Sequence, residues 1–232
     1  RGFELRFKKR LDKIRPQWQE HLLHAPIRWS RGDPLEAVIA EGLLLKASIP
    51  QFGEQALSVD DKVVDTFKRL DSADILVSEE NRQLLAQAFA LLVNAHYQTE
   101  PSDLQTLLNE TSQSLLLAIR NGDVVAACML VVEGELQGDI AEEVYRSRRR
   151  LKGHLLPQSL ACHYGYPELL ANRFCRVVRI AVHPQLQRQG LGLKILDKVS
   201  EYSDADFVGT SFAYEESVLQ FWQNAGYQLL RV

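Results

Sequence analysis

The strongest constraint on this chain lies between residues 176 and 203. Arg176–His183 is a β-branched run that reads as a strand, and Pro184 ends it, because proline has no N–H for a ladder. A glycine-bearing turn follows: Gln187-Arg188-Gln189-Gly190-Leu191-Gly192. Leu193, Ile195, Leu196 and Val199 then supply the apolar residues of a predicted helix over Leu191–Ser203. Glycines at these spacings let a backbone come close to a ligand. The helix that follows offers unpaired N–H groups and a positive dipole end, which together suit a phosphate or pyrophosphate. The spacing is not G-x-G-x-x-G and no Gly-Lys-Ser/Thr is present, so nicotinamide and nucleoside-triphosphatase readings lose ground. Taken alone, two glycines at a strand–helix turn are more often purely structural.

The surrounding pattern predicts a mixed α/β domain. Leu84, Leu85, Ala88, Leu91, Leu92 and Ala95 recur at helical spacing in a helix over Ser78–His96. Ser102 with Gln105 is a capping-box pattern opening a second helix over Asp103–Asn109. Ser114–Arg120 and Val124–Glu133 flank Asn121-Gly122 as a hairpin. A helix over Asp139–Leu151 ends in a basic cluster, and a loop-rich stretch holds Pro157 and Pro167. After the glycine turn and its helix come a strand over Phe207–Phe212, a helix over Glu215–Ala225 and a strand start over Tyr227–Val232. Residues 1–75 read differently. Phe3, Leu5 and Phe7 alternate with polar residues as a half-buried strand would. A loop-rich stretch around Pro16, Pro26, Gly32 and Pro34 precedes a short apolar run at Leu43–Leu45.

With 46% apolar and 25% charged residues, the 232-residue chain is neither collagenous nor disordered. Its longest apolar run, Val124–Val132, is far short of a membrane helix, and no secretory leader follows the basic start. Three scattered cysteines predict neither a disulfide framework nor a metal site, and a reducing cytoplasm is expected. The chain opens on Arg1 and its only methionine is Met129, so a piece of a longer protein is expected. The net charge of −3 averages a segregated pattern: +6 over residues 1–31, −14 over 32–145 and +5 over 146–232. Arg146, Arg148, Arg149, Arg150 and Lys152 form a run without acids. On charge alone that run fits a phosphate-binding patch and a solvated helix end equally well.

The pattern R/Q-x-x-G-x-G/A between a strand and a helix resembles the acetyl-CoA pyrophosphate loop of the GNAT N-acetyltransferase superfamily. Phe221-Trp222-Gln223-Asn224-Ala225-Gly226-Tyr227 looks like that superfamily's F-[YW]-x-x-x-G-[FY] helix end. A closer resemblance is carried by four strings: Arg176–Pro184, Gly153–Leu160, His96-Tyr97 with Pro101–Leu104, and His24–Trp29. Together they look like the bacterial tRNA(Met) cytidine acetyltransferase family, over nearly the whole chain. The resemblance implies a GNAT fold, a mixed sheet with flanking helices, over residues 76–232, cut before its last strands. Residues 1–75 would then be the C-terminal remnant of a helicase-like ATPase module. It further implies ATP-dependent acetylation of the exocyclic N4 amine of the wobble cytidine in elongator tRNA(Met). Acetyl-CoA would be the cofactor, ATP would enter only through the missing motor, tRNA would be the partner, and no membrane or metal is involved.

By the same resemblance, the backbone of Ile180, Ala181 and Val182 should meet the pantetheine arm. Gln187, Arg188, Gln189, Gly190, Leu191, Gly192 and Leu193 should cradle the pyrophosphate, and Ser217 and Asn224 should line the cofactor from the last helix. For Ile180 and Val182, core packing is compatible with that role, while Ser217 and Asn224 read equally well as exposed helix residues. The exocyclic amine of cytidine is a poor nucleophile, so its attack on a thioester needs a proton acceptor and a stabilised oxyanion. His96, between the first two helices, is the candidate base, with His154 as runner-up; an interaction with helix-end carbonyls is the competing role for His96. Trp222 stands where many GNAT enzymes carry a tyrosine acid and cannot protonate a thiolate; Tyr214 is the candidate substitute. Arg146, Arg148, Arg149, Arg150, Lys152, Arg176 and Arg179 are candidate RNA phosphate contacts. Two alternatives stay open: a GNAT enzyme acting on a protein or small-molecule amine, and a non-catalytic acyl-CoA-binding domain.

Overall fold

The computed structural model describes residues 2–21, 27, 28, 30–52, 65–95 and 101–231. Helices α1 (Gly2–Ile14) and α2 (Pro34–Gly42) come first, then β1 (Thr66–Asp71), α3 (Ser72–Val77), α4 (Glu79–Ala95) and α5 (Pro101–Asn109). The hairpin β2 (Gln113–Arg120) and β3 (Asp123–Gly134) follows, with α6 (Gly138–Tyr145), α7 (Leu155–Tyr164) and β4 (Arg173–Val182). The last elements are α8 (Leu191–Tyr202), β5 (Phe207–Thr210) and α9 (Glu216–Asn224). The strands form one sheet in the order β1-β2-β3-β4-β5. The first four are antiparallel, and β5 joins β4 in parallel.

Both faces of the sheet are covered, which is why β2 and β3 read as continuous apolar runs. Leu115 and Leu117 of β2 pack with Leu84, Ala88, Leu91 and Leu92 of α4 and with Leu104 and Leu107 of α5. Leu116 and Ala118, one residue out of phase, pack with Ile195, Leu196 and Val199 of α8. Two bulges break this alternation. In β3 the register passes from Ala118↔Ala126 to Ile119↔Val124, so Val125 has no opposite residue, and Val125 and Ala126 both enter the α8 core. In β4 the register passes from Val177↔Leu130 to Arg179↔Met129, leaving Val178 as the extra residue. Val177 packs toward α8 and Val178 toward α4; beyond the bulge Ile180 faces α8 and Ala181 faces α4.

Several sequence expectations are corrected. The alternation at Phe3, Leu5 and Phe7 lies in helix α1, not in a strand. Phe3, Phe7 and Leu11 are spaced i, i+4, i+8, so a two-residue period and a helical period share these positions. The loop expected around Pro34 contains α2, with Asp33 capping the Leu35 N–H at 2.8 Å and Pro34 in the first turn. The loop expected around Pro157 contains α7, where the proline sits in the first turn and forfeits no helical hydrogen bond. The helix expected to reach Leu151 stops at Tyr145, and Ser147 takes a left-handed conformation at φ 57°. No strand forms across Tyr227–Arg231; the Tyr227 ring turns edge-on to Trp222 at 4.9 Å.

The expected boundary at residues 75/76 falls inside α3, and β1 ahead of it already belongs to the sheet. Asp65 leads into β1 through a two-pronged, largely buried ion pair with Arg120 (2.8 and 3.2 Å). The earlier segment also touches the sheet domain. Leu44 and Ile49 pack against the α4-side core, and Phe52 packs against the α8-side core.

Candidate active site at the parting of β4 and β5

β5 accompanies β4 only from Phe174 to Val177, whereas β4 continues to Val182. The Thr210 hydroxyl donates to the Val177 carbonyl at 3.0 Å at the last paired position. The Val178 bulge lies one residue beyond. Extra twist at a bulge and loss of the partner strand together open a wedge between β4 and α9. A cavity of about 300 Å³ fills it, lined by Val178, Arg179, Ile180, Phe212, Ser217 and Phe221. Its wall is mostly apolar, as a pocket for an alkyl-amide chain would be.

The glycine turn stands at the end of the same strand. A short 3-10 turn, Pro184–Leu186, leads into exposed residues 187–190, and α8 begins at Leu191. Gly190 has φ 78° and Arg188 φ 62°, so two residues of the turn are left-handed. Among the described residues, the backbone N–H groups of Arg188, Gln189, Gly190, Leu191 and Gly192 find no protein acceptor. Gln187 Nε2 donates to the Val182 carbonyl at 3.2 Å and ties the turn to the strand end. At Gly192 a Cβ would lie 3.1 Å from Phe221 Cε2, so glycine permits α9 to pack on the first turn of α8. Exposed N–H donors, a helix start and the Arg188 cation fit a phosphate-bearing group, and the adjoining wedge fits its apolar arm. Ile180 lines the wedge, Ala181 is buried toward α4, and Val182 closes the strand; Leu193 is on the exposed side of α8.

On α9, Ser217 lines the wedge while its hydroxyl donates to Glu215 at 2.7 Å. Asn224 is at the other end of the helix, accepting from Gln220 at 2.9 Å, and is not a lining residue. Trp222 is buried, stacked on Phe212 and edge-on to Phe221. Tyr214 stands exposed in the β5–α9 loop and donates its hydroxyl to Glu216 at 2.7 Å. That hydrogen bond and the carboxylate charge push its phenol above the ordinary tyrosine range. Tyr214 is not a lining residue of the wedge, and its hydroxyl proton is engaged by Glu216.

The remaining candidates are dispersed. His96 lies outside the described residues. His154 accepts the Gly134 N–H on Nδ1 at 3.0 Å. Gly134 pairs with Arg173, so His154 sits at the far end of β4, roughly 20 Å along the strand from Ile180. Arg176 is bound to the fully buried Glu133 at 2.5 Å, whose second oxygen accepts the Leu156 N–H at the start of α7. Arg179 meets Asp103 of α5 at 2.9 Å. Neither arginine reaches a phosphate without surrendering its carboxylate. The basic cluster lies on the exposed α6–α7 loop. Arg146 pairs with Glu142 and Arg149 with Glu143, whereas Arg148, Arg150 and Lys152 have no ion pair among the described residues. Sequence reasoning missed Thr210, Phe212 and Phe221 as lining residues. Only the F-W-x-x-x-G-Y string marks that helix, and nothing local marks the strand parting.

The family model described as GNAT acetyltransferase 2 matches residues 87–206, and the one described as RNA cytidine acetyltransferase NAT10/TcmA, helicase domain, matches residues 1–46. A protein named tRNA(Met) cytidine acetyltransferase TmcA from Vibrio cholerae is 40% identical over 96% of this chain and 30% of its own length. One of the same name from Nitrosococcus halophilus is 38% identical over the whole of this chain and 31% of its own. The chain thus spans about a third of the length of the curated relatives it matches. A solved aminoglycoside acetyltransferase, meta-AAC0020 from a soil metagenomic sample, is 14% identical with a TM-score of 0.46, covering 75% of this chain and 97% of its own. The family match spans both the bulged strand and the glycine turn, and this chain belongs to the GNAT acetyltransferase family.

Proposed function

We propose that this chain is the acetyltransferase part of an acetyl-CoA-dependent enzyme that acetylates N4 of the wobble cytidine in elongator tRNA(Met). The observation that carries the reading is the junction of the β4–β5 wedge with the five unpaired N–H groups of residues 188–192. It offers an apolar channel and an anion nest at the spacing of one strand end. Acetyl-CoA supplies the activated acetyl group. Arg188 to Gly192 hold the pyrophosphate, the Ile180–Val182 edge and the Phe221 face hold the pantetheine arm, and Ser217 borders the arm. His96 takes the amine proton and Tyr214 returns a proton to the leaving thiolate. The relatives' shared name supports RNA as the acceptor, and the α6–α7 loop supplies the free cations that would meet it. Residues 1–46 would continue an upstream ATPase module, which couples ATP to the reaction in the complete protein.

The test is mass spectrometry of tRNA nucleosides after incubation with acetyl-CoA, using the complete protein carrying wild-type or altered residues of this chain. Acetylcytidine at the wobble position is expected, and His96→Ala should cut it at least tenfold while acetyl-CoA binding persists. No acetylcytidine from the complete wild-type protein would overturn the RNA reading. One observation favours an alternative: Arg179, which lines the wedge, is already neutralised by Asp103, as Arg176 on the same strand is by Glu133. That suits a cationic amine acceptor, and transfer to polyamines or lysine peptides without transfer to tRNA would establish it. Among the described residues no helix is long and apolar enough to cross a membrane.

A further inference from the structure

His183 is a buried side chain with both ring nitrogens engaged, at the entrance to the glycine turn, and none of the roles above uses it. It is 2% exposed and sits between the end of β4 and the turn that opens the anion nest. Its backbone N–H donates to the carbonyl of Val125, the bulged residue of β3, at 2.9 Å. Its carbonyl accepts the Leu186 N–H at 2.8 Å, closing the 3-10 turn. On the ring, Nδ1 accepts the Gln185 N–H at 3.3 Å and Nε2 meets the Pro50 carbonyl at 2.8 Å. Pro50 can only accept there, so Nε2 carries the proton and Nδ1 is the acceptor, one neutral tautomer that satisfies both bonds. Phe52 packs edge-on against the same ring at 4.6 Å.

Pro50 and Phe52 come from far upstream. Ile49 packs on the α4-side core and Phe52 on the α8-side core, so this short stretch passes from one face of the sheet to the other across His183. It begins three residues after the segment matched by the helicase-domain family. One imidazole thereby joins a linker leaving the upstream module to the turn whose N–H groups form the nest. We propose that His183 is a positioning residue that lets the Ile49–Phe52 linker set the geometry of the pyrophosphate turn. The inference rests on the acetyl-CoA reading above. A displaced linker leaves the buried Nε2 proton without an acceptor, and the ring must then reorient and release Gln185. The 3-10 turn loosens, and residues 187–192 lose the fixed spacing a pyrophosphate needs.

The test uses the complete protein with two probes, acetyl-CoA and S-acetylpantetheine, the second lacking the pyrophosphate. His183→Asn keeps an acceptor for Gln185 but cannot reach Pro50, and Phe52→Ala removes the ring contact without touching the turn. Both should weaken acetyl-CoA binding about fivefold or more, the equivalent of one lost hydrogen bond. S-acetylpantetheine binding should be unchanged, and amide exchange should quicken in residues 184–193. His183→Gln, which can still donate toward Pro50, should restore most of the affinity. Equal weakening of both probes would mean a general loss of structure and overturn the proposal, as would unchanged acetyl-CoA affinity in both variants. Failure of the complete wild-type protein to bind acetyl-CoA at all would instead overturn the cofactor reading on which the proposal rests.

Discussion

Thr210 Oγ1 donates to the carbonyl of Val177 at 3.0 Å, one residue before the Val178 bulge, and this bond marks the vertex at which β4 and β5 part. A side chain satisfies the strand carbonyl where the ladder stops, so the open edge starts at a defined residue instead of fraying. Thr210→Val keeps the shape and removes the donor. It should cost about 1 kcal/mol in denaturant unfolding, with Thr210→Ser close to wild type. Equal stability of the three proteins would show that the vertex is held by packing alone.

Gly190 and Gly192 do different work in the nest, and the two can be separated. Gly190 has φ 78° with open space around its missing Cβ, so Gly190→Ala should cost about 1 kcal/mol of strain without a clash. At Gly192 the backbone is unstrained but a Cβ would press on Phe221. Gly192→Ala should shift α9 against α8 and narrow the wedge. Calorimetric titration should therefore show a loss for the pyrophosphate-containing ligand in Gly190→Ala. In Gly192→Ala, S-acetylpantetheine binding should fall as well. The reverse pattern would exchange the roles given to the two glycines.

Legibility in the sequence followed the reach of each signal. The hairpin around Asn121-Gly122, helix α4 and the strand–turn–helix at 173–202 are local patterns, and the structure reproduces them within a few residues. β1 was missed because Thr66–Asp71 carries one fully buried side chain, Leu70, in an edge strand whose other positions are exposed or half-buried. α7 was missed because its short segment carries Pro157 and reads as loop, although the first helical turn tolerates a proline. At the site, the glycine turn was legible and the wedge was not. The wedge depends on β5 ending four pairs after it begins and on a one-residue register change between Leu130 and Met129, both long-range facts. The same limit hid the ion pairs of Arg176 and Arg179, whose partners are distant in sequence.

Asp206 gives the paired end of β4–β5 a pH dependence of definite sign. Its carboxylate accepts the Arg173 N–H at 2.8 Å and the Asn172 side chain at 3.2 Å, bonds that hold it below the ordinary carboxylate range. A depressed folded value stabilises above the unfolded value of about 3.9, and the contribution disappears as pH falls through the folded value. Thermal unfolding of Asp206→Ala against wild type should show the largest gap near neutral pH and a shrinking gap in acid. A gap independent of pH would assign the effect to packing and not to charge.

The α6–α7 loop makes the last distinction, between cations free to meet a polyanion and cations already spent. Arg148, Arg150 and Lys152 are exposed and have no ion pair among the described residues, while Arg146 and Arg149 hold surface pairs that cost little to break. Each phosphate neutralised on a single strand lowers the slope of log affinity against log salt by about 0.7. Replacing Arg148, Arg150 and Lys152 by alanine in the complete protein should flatten that slope by about 2 for tRNA and weaken binding most at low salt. Arg176→Ala should instead lower stability, because it leaves the buried Glu133 carboxylate without its cation, with a cost of roughly 3 kcal/mol. An unchanged salt slope in the triple variant, or a slope that responds only to Arg176, would remove this loop as an RNA-binding surface.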